Sequence, residues 1–169
     1  MPKIITGLRE TLLREAERQL MEGGYAKMTI RAVARECKVA VGTVYNYFPA
    51  KEEFVASVLL LRWKSALQAI RAAEQKEDGP EALLRCIYEQ LCAYLDQYRV
   101  LFQDEAAIDV FTHSFARYHD LLRSQLAQPL QPYCESDFEA EFVAEALLTW
   151  TVAGEGFDEI YCVIQKIFR

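Results

Sequence analysis

Residues 39–51 read VAVGTVYNYFPAK. Thr43, Asn46 and Tyr47 are spaced i, i+3, i+4 and would share one face of a helix, while Val44 and Phe48, at i, i+4, would share another. One face is apolar and requires burial; the other offers hydroxyl and amide groups to an outside partner. Just upstream, Thr29 stands where an N-cap belongs. Ile30, Val33, Ala34 and Cys37 follow at i, i+3, i+4, i+7, which predicts a short helix buried along one side. Lys38, Val39 and Ala40 make a turn, Val41 to Tyr47 a further helix, and Pro49 ends it because proline cannot continue a helix. Helix, short turn, helix is the helix-turn-helix layout, whose second helix enters the DNA major groove.

The charge distribution supports that reading. The chain of 169 residues carries 25 Asp plus Glu against 19 Lys plus Arg. Residues 1–51 nevertheless hold nine basic and five acidic residues, and Tyr25 to Lys51 hold five basic and one acidic. A phosphate-facing surface needs such a local excess, whatever the net charge of the whole. Lys27, Arg31, Lys38 and Lys51 surround the motif.

The stretch GGYAKMTIRAVARECKVAVGTVYNYFPAKEEFV, residues 23–55, resembles the N-terminal domain of the TetR family of transcriptional regulators. It has an aromatic after glycine and Thr before the second helix. G-T-hydrophobic-Tyr-x-aromatic-Phe then follows, with a Lys three residues beyond Phe48. Ala40 departs from the pattern, since the family often has Ser or Thr there; a missing side-chain cap costs roughly 1 kcal/mol. The resemblance implies a DNA-binding domain over residues 1–50 and a helical effector-binding and dimerisation domain over 51–169. It also implies that Arg31 reaches the groove and that Tyr45 and Lys51 contact phosphates. The candidate DNA-contacting set is Lys27, Thr29, Arg31, Val41, Gly42, Thr43, Tyr45, Asn46, Tyr47 and Lys51. Asn46 suits adenine, Arg31 guanine and the Thr43 methyl thymine, while Gly42 leaves room for backbone N–H groups to approach a phosphate.

Period-two alternation never persists along the chain, so an all-α protein is expected. A first helix is predicted from Ile4 to Glu22, with Leu8, Leu12, Ala16 and Leu20 on one stripe and Gly23-Gly24 as its stop. A long helix should span Lys51 to Gln75. Another follows with Leu84, Ile87, Tyr88, Leu91, Leu95 and Tyr98 on a stripe, then helical segments near 100–111 and 114–128. The last pair should cover Asp137–Ala153 and Gly156–Phe168. ALLTWTVAG, residues 146–154, has no charge, and the final helix is apolar over a broad arc, so this pair must be covered on more than one side. Homodimerisation is the expected solution, through Phe142, Ala146, Leu147, Trp150, Phe157, Ile160, Tyr161 and Ile164.

The resemblance further implies a small-molecule effector bound beyond residue 52. Trp63, Tyr88, Leu91, Leu95, Phe102, Phe111, Phe115 and Trp150 come from several helices and are large and mostly apolar, as pocket linings are. Simple core packing accounts for the same pattern. The acidic balance of this part favours a neutral or cationic apolar ligand.

No catalytic constellation, cofactor or metal site is expected. His113 and His119 are six apart and share no helical face. The five cysteines have no CxxC spacing and read as buried thiols, and GEG at 154–156 lacks the third glycine of a dinucleotide loop. The longest apolar runs fall short of the roughly 18 residues a membrane span needs, and the N-terminus does not resemble a secretory signal, so a cytoplasmic protein is expected. The reading reached is a DNA-binding repressor that binds a palindromic double-stranded operator as a homodimer and is released by an apolar effector. The alternative is a small all-α enzyme or cofactor-binding protein with a helix-turn-helix-like N-terminus.

Overall fold

A computed structural model describes residues 7–76, 78–102 and 118–167. In chain order the helices are α1 (Leu8–Lys27), α2 (Ile30–Glu36), α3 (Val41–Tyr45), α4 (Lys51–Glu74), α5 (Pro80–Phe102), α6 (118–127), α7 (Asp137–Ala153) and α8 (Phe157–Ile164). A 3-10 turn, Gln128–Tyr133, joins α6 to α7 around Pro129 and Pro132. No strand occurs among the described residues. The segment expected near 100–111 lies mostly outside them, as does the start of the one expected at 114–128.

Three helices depart from their expected bounds: α3 ends at Tyr45, two residues short of Tyr47, and passes into a turn. α1 runs past the glycine pair to Lys27 but breaks within itself at Gly24 (φ 73°), a conformation open to glycine and strained for other residues. The regular helix therefore breaks at the expected glycine, and a short further stretch carries α1 on to Lys27. α8 is shorter than expected, reaching Ile164 and loosening into a turn over the next residues. α7 matches its expected span, and both its ends are specified locally. The Ser136 hydroxyl accepts from the Glu139 amide at 3.3 Å. At the other end Gly154 (φ 90°) turns the chain so that its own N–H reaches the Thr151 carbonyl.

The described residues divide into two compact units. The first contains α1 to α3, α4 as far as Arg62, and the end of α5 from Tyr98. Its core is built from Leu12, Leu13, Ala16 and Leu20 of α1, Ile30, Val33 and Ala34 of α2, Val44 of α3, and Phe48, Phe54, Val55 and Val58. Phe48 and Phe54 stack almost parallel with centroids 4.0 Å apart. The packing of this unit thus extends past residue 50, because the first turns of α4 are buried in it.

The second unit contains Trp63–Gln97 and the residues from 118 onward. Ile70, Leu84, Ile87, Leu91, Leu126, Leu130, Val143, Leu147, Ile160 and Ile164 form one core with Trp63. The Trp63 indole satisfies its N–H by donating to Gln125 Oε1 at 2.7 Å and meets the Tyr94 ring edge-on at 5.5 Å. Among the described residues no helix is long and apolar enough to cross a membrane, and no group of His, Cys, Asp and Glu could hold a metal ion.

Candidate nucleic-acid interface

The recognition region is positioned by local chemistry at each of its junctions. Thr29 caps α2, its hydroxyl oxygen accepting from the Ala32 amide at 3.1 Å. Burial of Ile30, Val33 and Ala34 then turns Arg31 and Arg35 outward. The turn after α2 is made by Lys38, the one non-glycine residue among those described with positive φ, at 56°. This left-handed step lets the Val39 amide return to the Ala34 carbonyl at 2.9 Å, and the chain reverses within three residues. α3 starts without a side-chain cap at Ala40, as the sequence indicated.

α3 buries Val44, and Phe48 follows it into the core. That anchoring fixes the rotation of the helix, so Gly42, Tyr45 and Asn46 are exposed while Val41, Thr43 and Tyr47 are half-buried. Tyr45 is 49% exposed, which removes it from the core of this unit. A Cβ built on Gly42 meets nothing within 4 Å, so the space above the start of α3 is open on the outer side. Arg31, Lys27 and Lys38 are also exposed. Thr29 serves the protein first, as a cap.

Lys51 is held by the protein itself. Its ammonium donates to the Tyr25 carbonyl at 2.6 Å and lies 4.0 Å from the centroid of the Tyr25 ring. Tyr25 in turn donates its hydroxyl to Glu52 at 3.1 Å. The lysine therefore satisfies a carbonyl at the end of α1, a role that sequence spacing does not reveal.

Trp63, Tyr88, Leu91, Leu95 and Trp150, of the residues expected to line an effector pocket, are dispersed in the second unit. Trp63 and Leu91 are buried in its core, Leu95 is half-buried, and the half-buried Tyr88 donates to the Glu155 carbonyl at 3.1 Å. Trp150 is 52% exposed. The side chain of Phe102, and Phe111 and Phe115 altogether, lie outside the described residues. Clefts among the described residues include a groove of about 430 Å³ lined by Glu135, Phe138, Glu139, Phe142, Lys166 and Ile167, and one of about 150 Å³ at Leu67, Ile70, Arg71, Glu74, Gln125, Gln128 and Pro129. Neither uses the expected lining.

The residues expected at a dimer interface separate into two groups. Leu147, Phe157, Ile160 and Ile164 are buried within the protomer, Ala146 and Tyr161 are half-buried, and Phe142 and Trp150 are exposed. Phe138 at 75%, Val152 at 64% and Val163 at 62% exposure join that outer face, and sequence reasoning did not select them. The i, i+4 run of Phe138, Phe142 and Ala146 was the available signal. The five cysteines are free thiols; Cys162 is exposed, contrary to the expectation of burial, and the other four are half-buried.

With this geometry in view, residues 12–58 match the model of bacterial regulatory proteins of the tetR family. The chain is 27% identical over 128 residues to YuxN of Bacillus subtilis (strain 168), an uncharacterised HTH-type transcriptional regulator; the match covers 75% of this chain and 37% of YuxN. It is 50% identical over 38 residues to the HTH-type transcriptional repressor KstR of Mycolicibacterium smegmatis, covering 22% of this chain and 19% of KstR. The chain thus spans less than half the length of these curated relatives. Its fold is similar to the crystal structure of the multidrug binding protein EbrR complexed with imidazole, with TM-score 0.64, 14% identity, and 98% of this chain and 92% of EbrR covered.

Proposed function

We propose that this chain is a TetR-family transcriptional regulator, resting on the match of residues 12–58 to that family's model, and that it is a repressor that binds a palindromic DNA site as a homodimer and is released by a small apolar effector. The observation that carries the DNA-binding part is the rotation of α3. Burial of Val44 and Phe48 leaves Tyr45 and Asn46 exposed, and the cations Lys27, Arg31 and Lys38 of the same unit are exposed as well. In this reading residues 1–50 bind DNA and residues 51–169 bind the effector and the second copy. Asn46, Thr43 and Arg31 read base edges, and Tyr45 and Tyr47 contact the backbone. TetR-family regulators are not enzymes, so the catalytic alternative is set aside.

The dimer rests on the outer face of α7 and α8, where Phe138, Phe142, Trp150, Val152 and Val163 are exposed. A two-fold arrangement of this face is the commonest way to cover it and would set two recognition helices one DNA turn apart, roughly 34–36 Å. The KstR relative is a named repressor, and EbrR is a named multidrug binder; both support the corresponding parts of the reading.

The test is selection of binding sites from a randomised pool of DNA duplexes by the full chain, followed by titration against salt. A palindromic consensus is expected, with affinity falling linearly on a log–log plot as phosphate contacts release counterions. Enrichment of no sequence, or affinity independent of salt, would reject the DNA-binding assignment. A thermal-shift screen with hydrophobic cations and neutral aromatic compounds tests the effector: a compound that raises the melting temperature and lowers affinity for the selected duplex is the expected result.

A further inference from the structure

Glu17, on α1, is the one buried charged residue among those described, 8% exposed. Its carboxylate receives two donors from Arg62 of α4, Nε to Oε1 at 2.5 Å and an Nη to Oε2 at 2.6 Å. The buried Tyr98 of α5 donates its hydroxyl to the same Oε1 at 2.8 Å. One carboxylate thereby ties α1 to two other helices, through partners 45 and 81 residues away in the chain.

The placement is as informative as the bonds. Arg62 is the last residue of α4 that belongs to the first unit, and Tyr98 is the first residue of α5 that returns to it. Glu17 therefore binds both helices within the first unit, at the last residue of α4 and the first residue of α5 that belong to it. A partly buried ion pair is poor evidence of added stability, because desolvation offsets much of the attraction and apolar substitutes often serve as well; its best-attested use is to specify one arrangement. The bidentate geometry of Arg62 suits that use, since a planar fork meeting a carboxylate tolerates little rotation. Burial pushes the Glu17 carboxyl up, but the bonds from Arg62 and Tyr98 outweigh it and hold the group below the usual carboxylate range, so the clasp is charged near neutrality.

We propose that Glu17 is a positioning residue for operator binding: by clasping Arg62 and Tyr98 it fixes the direction in which α4 and α5 leave the DNA-binding module. The proposal rests on the homodimer reading. In a dimer, the separation of two recognition helices depends on how each module is carried by its exit helices, whereas the contacts of one module with one half-site do not. None of the three residues belongs to α2 or α3, so the recognition surface itself does not need them. Loosening the clasp spreads the dimer over several separations, and only a fraction of these match both half-sites at once.

Tyr98→Phe, Glu17→Gln and Arg62→Met provide the test in the full-length chain. The DNA probes are a duplex selected by the wild-type protein from a randomised pool and the same duplex with one half scrambled. Circular dichroism verifies folding and light scattering the oligomeric state. Each variant is expected to lose about tenfold in affinity for the whole site, within the usual range of coupling between sites, and less than about twofold for the half-site. Equal losses on both probes would mean that the clasp only supports the module's own fold, and no loss on either would remove its role altogether; both overturn the proposal. Tyr98→Phe removes one hydroxyl and keeps the ring, so it carries the test even where Glu17→Gln does not fold. A wild-type protein that is monomeric, or that binds whole and half sites equally, rejects the homodimer reading and the clasp with it. A dimeric wild type with unaffected variants rejects the clasp alone.

Discussion

Lys51 and Tyr25 are joined twice, by a 2.6 Å hydrogen bond from the ammonium to the tyrosine carbonyl and by its position 4.0 Å from the centre of the ring. The pair ties the end of α1 to the first residue of α4, at the point where the Gly24 kink leaves carbonyls without helical partners. Lys51→Met keeps the aliphatic stem and removes both interactions. It is expected to lower unfolding stability by about 1–2 kcal/mol, combining a capping bond with a half-buried cation–π contact. The shift of a urea midpoint at constant slope measures it. Whether Lys51 also meets a phosphate is read separately: an unchanged salt slope of DNA affinity in the variant would remove Lys51 from the DNA-contacting set.

The Glu17 clasp has a definite pH signature. Arg62 and Tyr98 hold the folded-state pKa of Glu17 below its unfolded value, so the unfolded chain binds this proton more readily. Its stabilising contribution is therefore complete above the ordinary carboxylate range and is lost as pH falls through the folded-state pKa. Arg62 is 45% exposed, and solvent screening keeps the contribution on the order of 1 kcal/mol. Wild type should exceed Glu17→Gln in stability at neutral pH by that amount, with the difference shrinking on acidification. Urea melts at several pH values check it; a difference that grows toward acid would contradict the assigned direction.

Asn46 and Tyr45 are exposed and outside the core, so their alanine variants should stay within about 0.5 kcal/mol of wild-type stability. Their effects on DNA should differ. Asn46→Ala should cost about 1–3 kcal/mol on the selected site and relax preference at one base pair, as loss of a base-edge contact does. Tyr45→Ala should weaken selected and scrambled duplexes by the same factor, since phosphate contacts carry no sequence information. Fluorescence anisotropy against both duplexes distinguishes the two patterns.

Phe142 and Val163 lie on the outer face of the last two helices, whereas Leu147 points into the protomer core. Phe142→Asp and Val163→Asp are expected to give folded monomers by light scattering, with helical circular dichroism retained. Leu147→Asp should instead lose the fold, because an unpaired charge in an apolar interior costs at least several kcal/mol. Dimers persisting in both outer-face variants would mean that this face is not where the second copy binds.

The helix-turn-helix was legible in the sequence because its determinants are local. Thr29 caps the next helix whatever lies elsewhere in the chain, and Val44 with Phe48 must be buried together. Once they are, Tyr45 and Asn46 can only face outward. The span of α7 was legible for the same reason, since Ser136 and Gly154 act on backbone within a few residues of themselves. What sequence could not decide was which side of α7 belongs to the protomer. From Ala146 onward the helix carries no charged residue, so periodicity ranks Leu147 and Trp150 alike, and only packing against α8 and the rest of the second unit buries the one and leaves the other out. Glu17 shows the same limit from the opposite direction. A glutamate beside an apolar stripe reads as surface, and its burial depends on partners 45 and 81 residues away. Side chains that answer to their own turn of helix are written in the sequence, and those that answer to a distant helix are decided when the helices meet.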